Sequence, residues 1–256
     1  MTERQLAPDL DAALQTLAAT PELLVALDFD GVLAPIVSRP SAARPLPESV
    51  RAIEGLAALP HTTVVLVSGR GLADLATVSG FTAPVQMVGS HGGEFSDNPD
   101  GFLDENEKRR RAELIDELAR LVDGAPGVAL EHKPAGVAVH VRNADPAIGA
   151  RVLSAVRSGP AARPGVHPTE GKAVIDLAVV DVSKGGAIDV LRERTGAGAV
   201  LFVGDDVTDE AAFARLRPGD VGVKVGDGNT VARYRVTEPP DVAVALERLR
   251  QLRAQR

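Results

Sequence analysis

Short apolar runs alternate along the chain with longer stretches in which apolar residues recur every three or four positions. The apolar runs are strand candidates and cover residues 23–27, 62–67, 85–88 and 199–203. Strands buried on both faces have this composition, which predicts a parallel sheet. Stretches with a helical stripe lie at 47–59, 106–122 and 183–195. The alternation of strands and helices predicts an α/β fold.

The middle of the chain has a different order of elements. Between about 105 and 179, a helix is followed by strand candidates at 128–130 and 137–141, a helix near 146–156 and a strand pair near 166 and 174–177. Hairpin-like spacing of this kind favours a small α+β domain inserted into the sheet domain. We therefore predict a parallel-sheet domain formed by residues 1–103 and 180–256, with an inserted α+β domain at 104–179.

Two carboxylates follow the first apolar run. Asp28 and Asp30 flank Phe29 at the end of the strand, so their side chains leave on the same face, and Gly31 permits a sharp turn. Carboxylates held together at a buried strand end repel each other unless a cation lies between them or one is protonated. Magnesium, which takes carboxylate, water and phosphate ligands, suits this position. The alternative is a strand that ends in an ordinary turn, where aspartate and glycine are common.

Further polar motifs follow the other strand candidates. A second acidic cluster after residue 203 contains Asp205, Asp206, Asp209 and Glu210. This concentration of negative charge indicates a site that binds a metal ion or a cationic partner. The alternative is a helix N-terminus, where acidic residues are also common. Ser68 and Gly69 can offer a hydroxyl and an N–H to a phosphate oxygen, and Lys184 can neutralise a phosphoryl group; a plain turn and a surface lysine are the alternatives. Ligands bind at the carboxyl ends of parallel strands, so we expect these motifs to meet.

Composition narrows the classes of function. The 256 residues are 45% hydrophobic and 25% charged, as in ordinary globular proteins, with a net charge of −7. The absence of cysteine excludes disulfide scaffolds, thiol catalysis and cysteine-ligated zinc. The net negative charge would repel the phosphates of a nucleic acid, and with no tryptophan and one tyrosine the chain has few aromatic side chains to stack on bases, so a nucleic-acid partner is not expected. Without a membrane-length apolar run or a signal-peptide pattern at the start, we expect a cytoplasmic protein with no membrane partner.

The order and spacing of the motifs resemble the haloacid dehalogenase-like (HAD) phosphohydrolases. The order is Asp-x-Asp-Gly, Ser-Gly-Arg about forty residues later, then Lys-Gly, and Gly-Asp-Asp-x-x-Asp about twenty residues after that. Five segments resemble the trehalose-6-phosphate phosphatase family within that superfamily: 89–94 (GSHGGE), 131–133 (EHK), 139–142 (VHVR), 171–172 (GK) and 204–210 (GDDVTDE). The resemblance extends from residue 24 to about residue 233. It implies a Rossmann-like HAD core, in which the inserted α+β domain at 104–179 is a cap that determines substrate specificity.

The resemblance implies magnesium-dependent hydrolysis of trehalose 6-phosphate to trehalose and phosphate. Asp28 would attack phosphorus and form an aspartyl-phosphate, and Asp30 would protonate the leaving sugar oxygen and then activate water. Ser68 and Lys184 would stabilise charge on the transferring phosphoryl group. The implied metal ligands are Asp28, the backbone carbonyl of Asp30 and Asp205, with Asp209 and Asp206 holding metal-bound waters.

The resemblance also implies the groups that contact the substrate. In the core these are Gly69, Arg70, His91 and Glu94, and in the cap they are Glu131, Lys133, His140, Arg142, Lys172 and Asp176. Charged and polar groups of this kind recognise sugar hydroxyls through hydrogen bonds. For His91, which follows Gly-Ser, the alternative is that the side chain caps a turn.

Three positions depart from the family pattern. Val32 stands where the family usually has threonine, Val141 where it commonly has tyrosine, and Asp176 where it has glutamate. The last two lie in the predicted cap, and they leave open a phosphatase for another disaccharide-like phosphate, such as a pseudo-disaccharide or aminocyclitol phosphate. A non-catalytic sugar-phosphate sensor and a mutase are further alternatives. We expect a small-molecule sugar phosphate as the partner, magnesium as the cofactor, and a monomer.

Overall fold

The computed structural model describes residues 4–97, 103–171 and 173–256. Contacts within the chain divide it into two units. The first unit consists of Met1–Asp97 and Ser183–Arg256, and the second, Asn98–Val182, is inserted between these two parts. The predicted core and cap boundaries, and the predicted role of the insert as a cap, stay predictions.

Each strand and helix candidate of the sequence corresponds to a described element, and where the candidate had a stated range the ends agree within three residues. In chain order the strands are β1 Leu23–Leu27, β2 Thr62–Val67, β3 Gln86–Gly89, β4 Glu94–Phe95, β5 Ala129–Lys133, β6 Gly136–His140, β7 His167–Gly171, β8 Val174–Ala178, β9 Ala199–Gly204, β10 Val221–Val225 and β11 Tyr234–Val236. The α-helices are α1 Pro8–Ala18, α2 Pro47–Ala57, α3 Leu72–Ser79, α4 Glu105–Val122, α5 Pro146–Ser158, α6 Lys184–Thr195, α7 Glu210–Phe213 and α8 Pro239–Ala254. Within the described ranges, no helix combines the length and the apolar composition needed to cross a membrane.

The first unit is built on a seven-stranded sheet in the order β11-β10-β9-β1-β2-β3-β4. Neighbouring strands run parallel except for β3 and β4, which confirms the predicted parallel sheet. β1 lies at the centre and is buried along its whole length, as its continuous apolar run requires. Leucines of α1 and α8 belong to the same apolar core as β1, for example Leu14 and Leu246.

The second unit has an antiparallel four-stranded sheet in the order β5-β6-β8-β7. One sheet face carries Val139 and Ile175, which share an apolar core with Leu118 of α4 and Val156 of α5. Side chains alternate between the two faces of a strand. The opposite face therefore carries the residues next to these positions, several of which are charged.

Candidate active site

Polar residues at the carboxyl ends of four adjacent strands surround one cavity in the first unit. Asp28 follows β1, Ser68 follows β2, His91 lies just after β3 and Asp205 follows β9. The cavity has a volume of about 600 Å³. Five further predicted residues line it, namely Asp30, Gly69, Arg70, Lys184 and Asp206. The parallel sheet thus brings together motifs that lie far apart in the sequence.

A buried lysine joins two carboxylates at this cavity. Lys184 Nζ lies 2.8 Å from Asp28 Oδ2 and 2.7 Å from Asp209 Oδ1. The other oxygen of Asp28 accepts a hydrogen bond of 2.7 Å from the amide of Phe29. Lys184 is the first residue of α6, and the hydroxyl of Ser183 caps this helix by accepting from the amide of Gly186. The helix cap therefore fixes where the lysine enters the cavity.

The loop after β9 is held by hydrogen bonds on two sides. Asp209, which is fully buried, accepts from the amides of Asp205 at 2.8 Å and Asp206 at 2.9 Å. The ammonium of Lys224 donates to the carbonyl oxygen of Asp205. Our sequence analysis missed Lys224, although a lysine inside the apolar run of β10 is an informative signal, because lysine is rarely buried without a partner.

Burial changes the proton affinity of these groups. Burial, opposed in part by Lys184, raises the pKa of Asp28 to about 7. Burial and the nearby charge of Asp209 raise the pKa of Asp205 to about 6. Burial alone would lower the pKa of Lys184, but the charges of Asp28 and Asp209 raise it overall. When Asp28, Asp205 and Asp209 are all ionised, they therefore carry more negative charge than the ammonium of Lys184 offsets.

The carboxylates fit a divalent cation. Oxygen atoms of Asp28, Asp205 and Asp209 all lie within 4.8 Å of one another. Magnesium prefers oxygen ligands of this kind, and its charge would stabilise the ionised forms that burial disfavours. The predicted contribution of the Asp30 backbone carbonyl stays a prediction.

We expect the stability of the metal-free protein to depend on the ionisation of Asp28. Folding raises the pKa of Asp28 from 3.8 to about 7, so the folded state binds a proton at Asp28 more tightly than the unfolded state does. This difference contributes its full stabilisation below pH 3.8, and the contribution is lost as the pH rises toward 7. Asparagine cannot ionise. In EDTA, the unfolding free energy of Asp28→Asn should therefore rise relative to wild type between pH 4 and pH 7, as measured by urea denaturation.

Asp189→Asn is the control for this experiment. Asp189 is partly exposed and paired with Arg215 at 2.7 Å, outside the cavity lining. The stability difference between this variant and wild type should not rise over the same pH range. A difference for Asp28→Asn that stays constant from pH 4 to pH 7 would contradict the assignment.

Gly31 allows the Asp205 carboxylate to approach the turn after β1. Gly31 has φ +74°, and a Cβ atom at this position would overlap the Asp205 carboxylate. We expect Gly31→Ala to lower the unfolding free energy by about 1–3 kcal/mol more than Gly196→Ala, because Asp205 must move as well. Gly196 is a matched control, since its φ is +65° and no atom lies within 4 Å of an added Cβ. Equal losses in urea denaturation would show that the contact with Asp205 is unimportant.

Asp30 is held by an arginine rather than by the buried lysine. Arg70 donates from Nε to Asp30 Oδ2 at 2.6 Å and from Nη2 to Asp30 Oδ1 at 2.8 Å. The same guanidinium donates to Asp74 Oδ2 at 2.7 Å and to the carbonyl of Pro40 at 2.9 Å. Asp74 lines the cavity and was missed in the sequence, where its position four residues after Arg70 at the start of a helix was the available signal.

His91 reaches the cavity through an unusual backbone conformation. Ser90 and His91 have φ values of 50° and 57°, which are uncommon for residues other than glycine. The imidazole lies so close to Gly69 that a Cβ there would come within 2.5 Å of the ring. Glu94 accepts from the amide of Leu72 at 3.1 Å and from the Ser90 hydroxyl, so it supports the turn that carries His91. The predicted substrate contacts of Gly69, His91 and Glu94 stay predictions.

Four predicted substrate-binding residues share the polar sheet face of the second unit. Strand register places Glu131 and Lys133 of β5, His140 of β6 and Asp176 of β8 on this face. Lys133 pairs with Asp176, and His140 Nε2 lies 2.8 Å from Glu131 Oε2. Arg142 lies exposed in the turn after β6. Lys172 lies outside the described residues.

Val141 and Asp176, the two departures in this unit, have different surroundings. Val141 is buried in the core of the second unit and packs against Gly149. Its difference from the family pattern therefore alters packing and not the polar sheet face, contrary to our expectation. Asp176 lies on the polar face and is engaged by Lys133. Of these two departures, Asp176 is therefore the one that lies among the predicted sugar contacts.

Comparison with known proteins decides the family. A sequence profile of the trehalose-phosphatase family matches residues 26–240. The chain belongs to this family. Members that resemble it include a trehalose-phosphate phosphatase of Mycobacterium ulcerans, 36% identical over 266 residues, and one of Mycobacterium leprae, 36% identical over 277 residues. These matches cover 94% and 95% of this chain but 66% and 62% of the relatives, so the chain spans less than two thirds of their length.

Solved structures of family members have the same fold. An Aspergillus fumigatus trehalose-6-phosphate phosphatase matches with a TM-score of 0.73 and 27% identity, over 97% of this chain and 99% of that one. The C-terminal domain of a C. albicans trehalose-6-phosphate phosphatase matches with a TM-score of 0.64 and 24% identity, over 97% and 99% of the two chains. The predicted fold class, a Rossmann-like HAD core with an inserted α+β segment, is thereby confirmed.

Proposed function

We propose that this protein is a magnesium-dependent phosphatase that hydrolyses trehalose 6-phosphate through an aspartyl-phosphate. The observation that carries the proposal is the buried Asp28–Lys184–Asp209 cluster, which opens on a cavity also lined by Asp30 and Ser68. The names of the mycobacterial and fungal relatives support the choice of substrate.

The first chemical step transfers the phosphoryl group to Asp28. A carboxylate oxygen of Asp28 attacks phosphorus, and the bond from phosphorus to the sugar oxygen breaks. Asp30, when protonated, gives its proton to that leaving oxygen, so the sugar departs as a neutral alcohol. Lys184 and Ser68 stabilise the negative charge that spreads over the phosphoryl oxygens.

The second step removes the phosphoryl group from Asp28. Asp30, now a carboxylate, takes a proton from water, and the water oxygen attacks phosphorus. The bond between phosphorus and the Asp28 oxygen breaks, which releases phosphate and restores both aspartates. Magnesium bound by Asp28, Asp205 and Asp209 would neutralise charge on the phosphoryl oxygens.

The second unit would supply sugar recognition. Its polar sheet face carries Lys133–Asp176 and Glu131–His140 as pairs that are already formed. Groups held in pairs are oriented before a ligand arrives, which lowers the entropy cost of binding hydroxyl groups. A disaccharide offers more hydroxyls to such a face than a single hexose does, so we expect a preference for trehalose 6-phosphate over glucose 6-phosphate.

A phosphate-release screen over a panel of sugar phosphates tests this function. With Mg²⁺ present, we expect the rate on trehalose 6-phosphate to exceed that on glucose 6-phosphate by roughly ten- to a hundredfold, since contacts to charged groups contribute about 1.5–3 kcal/mol each. EDTA should abolish the release of phosphate, and excess Mg²⁺ should restore it.

Other outcomes separate the competing functions. Equal rates on the two substrates would contradict a disaccharide phosphatase. A higher rate on a pseudo-disaccharide phosphate would identify a different substrate for the same chemistry. A rearranged sugar phosphate without free phosphate would indicate a mutase, and binding without turnover would indicate a sensor.

A further inference from the structure

Arg70 binds the carboxylate of Asp30 in a bidentate arrangement, in which two nitrogen atoms of the guanidinium form a fork. Its Nε and Nη2 atoms donate to the two different oxygens of the Asp30 carboxylate, at 2.6 and 2.8 Å. Two parallel hydrogen bonds from a planar guanidinium fix both the position and the plane of a carboxylate. A single donor would leave that plane free to rotate.

Arg70 is itself held by three other groups. Its Nη1 atom donates to Asp74 at 2.7 Å, Nη2 also donates to the carbonyl of Pro40 at 2.9 Å, and its guanidinium carbon lies 5.6 Å from the centre of the Phe29 ring. Only 10% of the Arg70 side chain is exposed. The guanidinium therefore does not follow Asp30 but acts as a fixed support for it.

The fork leaves room for chemistry at Asp30. A carboxylate oxygen has two lone pairs, and Arg70 occupies one on each oxygen. The remaining lone pairs are available for a proton, and their direction is set by the plane in which Arg70 holds the carboxylate. About one third of the Asp30 side chain is exposed to the cavity side.

We propose that Arg70 is a positioning residue that aims Asp30 at the leaving oxygen of the substrate. This inference rests on the proposed function, in which Asp30 donates its proton while the bond from phosphorus to the sugar oxygen breaks and the bond from Asp28 to phosphorus forms. It assigns Arg70 to the orientation of the acid and not to contact with the sugar.

A comparison of two leaving groups tests this role. A sugar alkoxide needs a proton to depart, whereas 4-nitrophenolate departs readily without one. With enzyme in excess over substrate, the release of the leaving group reports the first chemical step alone. We expect Arg70→Gln to slow sugar release from a sugar monophosphate by about 10- to 100-fold, because the variant keeps the acid and loses only its orientation, whereas a general acid as a whole contributes about 10²–10⁴-fold. Release of 4-nitrophenol from 4-nitrophenyl phosphate should slow by less than about threefold.

Arg194→Gln is the matched control. Arg194 also lies over an aromatic ring, 4.6 Å from the centre of Phe95, and pairs with Asp97 at 3.2 Å. It lies outside the cavity lining, so both release rates should stay at the wild-type value. If Arg70→Gln fails to fold, Arg70→Lys provides the same comparison, because it keeps the charge but loses the fork; sugar release should again slow more than nitrophenol release.

Two results would overturn the inference. Equal slowing on both substrates would show that Arg70 acts on the phosphoryl group or on the fold, and unchanged sugar release would show that Asp30 needs no such support. A wild-type protein that releases phosphate from no sugar phosphate would overturn the proposed function itself, and the role of Arg70 would fall with it.

Discussion

Replacing Asp28 with asparagine should reduce phosphate release by roughly 10⁴-fold or more while leaving the fold intact. The amide has almost the shape of the carboxylate but cannot act as the nucleophile, so the first step fails. Lys184 keeps its ion pair with Asp209 at 2.7 Å, and the fold retains the rest of the buried cluster. Steady-state phosphate release and a thermal melt of the same preparation measure the two parts of this prediction.

The covalent intermediate can be tested directly. Rapid quenching of the wild-type protein during turnover should give a fraction of chains heavier by one phosphoryl group, with the modification on Asp28. Asp189→Asn, which changes a carboxylate outside the cavity lining, should keep both turnover and this signal. Turnover near the wild-type rate in Asp28→Asn would mean that the mechanism is wrong.

Replacing Asp209 with alanine should destabilise the protein by about 3–5 kcal/mol, the usual cost of removing one partner from a buried ion pair. The change removes one of the two carboxylates that pair with Lys184, and it removes the acceptor for the amides of Asp205 and Asp206. Urea denaturation in EDTA measures the loss independently of metal. Asp189→Ala is the exposed counterpart and should cost less than about 1 kcal/mol.

A small loss in Asp209→Ala would have a clear meaning. If the unfolding free energy fell by less than about 1 kcal/mol, the amides of Asp205 and Asp206 would have to find other acceptors, while Lys184 kept its pair with Asp28. The contacts of Asp209 would then contribute little to stability, and other contacts, such as that of Lys224 with the Asp205 carbonyl, would hold the loop after β9. A large loss together with unchanged turnover would instead separate the structural role of Asp209 from its proposed metal role.

The sheet and the meeting of its motifs could be predicted because both follow from local patterns. Apolar runs identify buried parallel strands, and the topology of such sheets brings their carboxyl ends together. The same reasoning did not find β10 or β11. Lys224 interrupts the apolar run of β10, and β11 has only three residues, too few for a recognisable pattern. The helical spacing of Leu10, Leu14 and Leu17 in α1 was readable but overlooked.

Pairing between side chains was beyond the reach of the sequence. Arg70 and Asp30 are forty positions apart, and motif order alone suggested a substrate contact for the arginine. The partner with which a charged side chain pairs depends on distances of a few tenths of an ångström. Similarly, Val141 counted as a departure that bears on the choice of substrate, because it lies in the predicted cap, whereas its side chain packs in the core of the second unit.

The position of Lys184 between Asp28 and Asp209 has a consequence for how the protein folds. Small metal-dependent domains often fold only when their ion is available, because the free energy of metal binding is part of their folding free energy. Here an ammonium on the chain itself lies between two of the carboxylates, 2.8 and 2.7 Å from them. We therefore expect the chain to fold without a bound metal. Under the proposed function, removal of magnesium would then stop turnover reversibly and leave the protein folded.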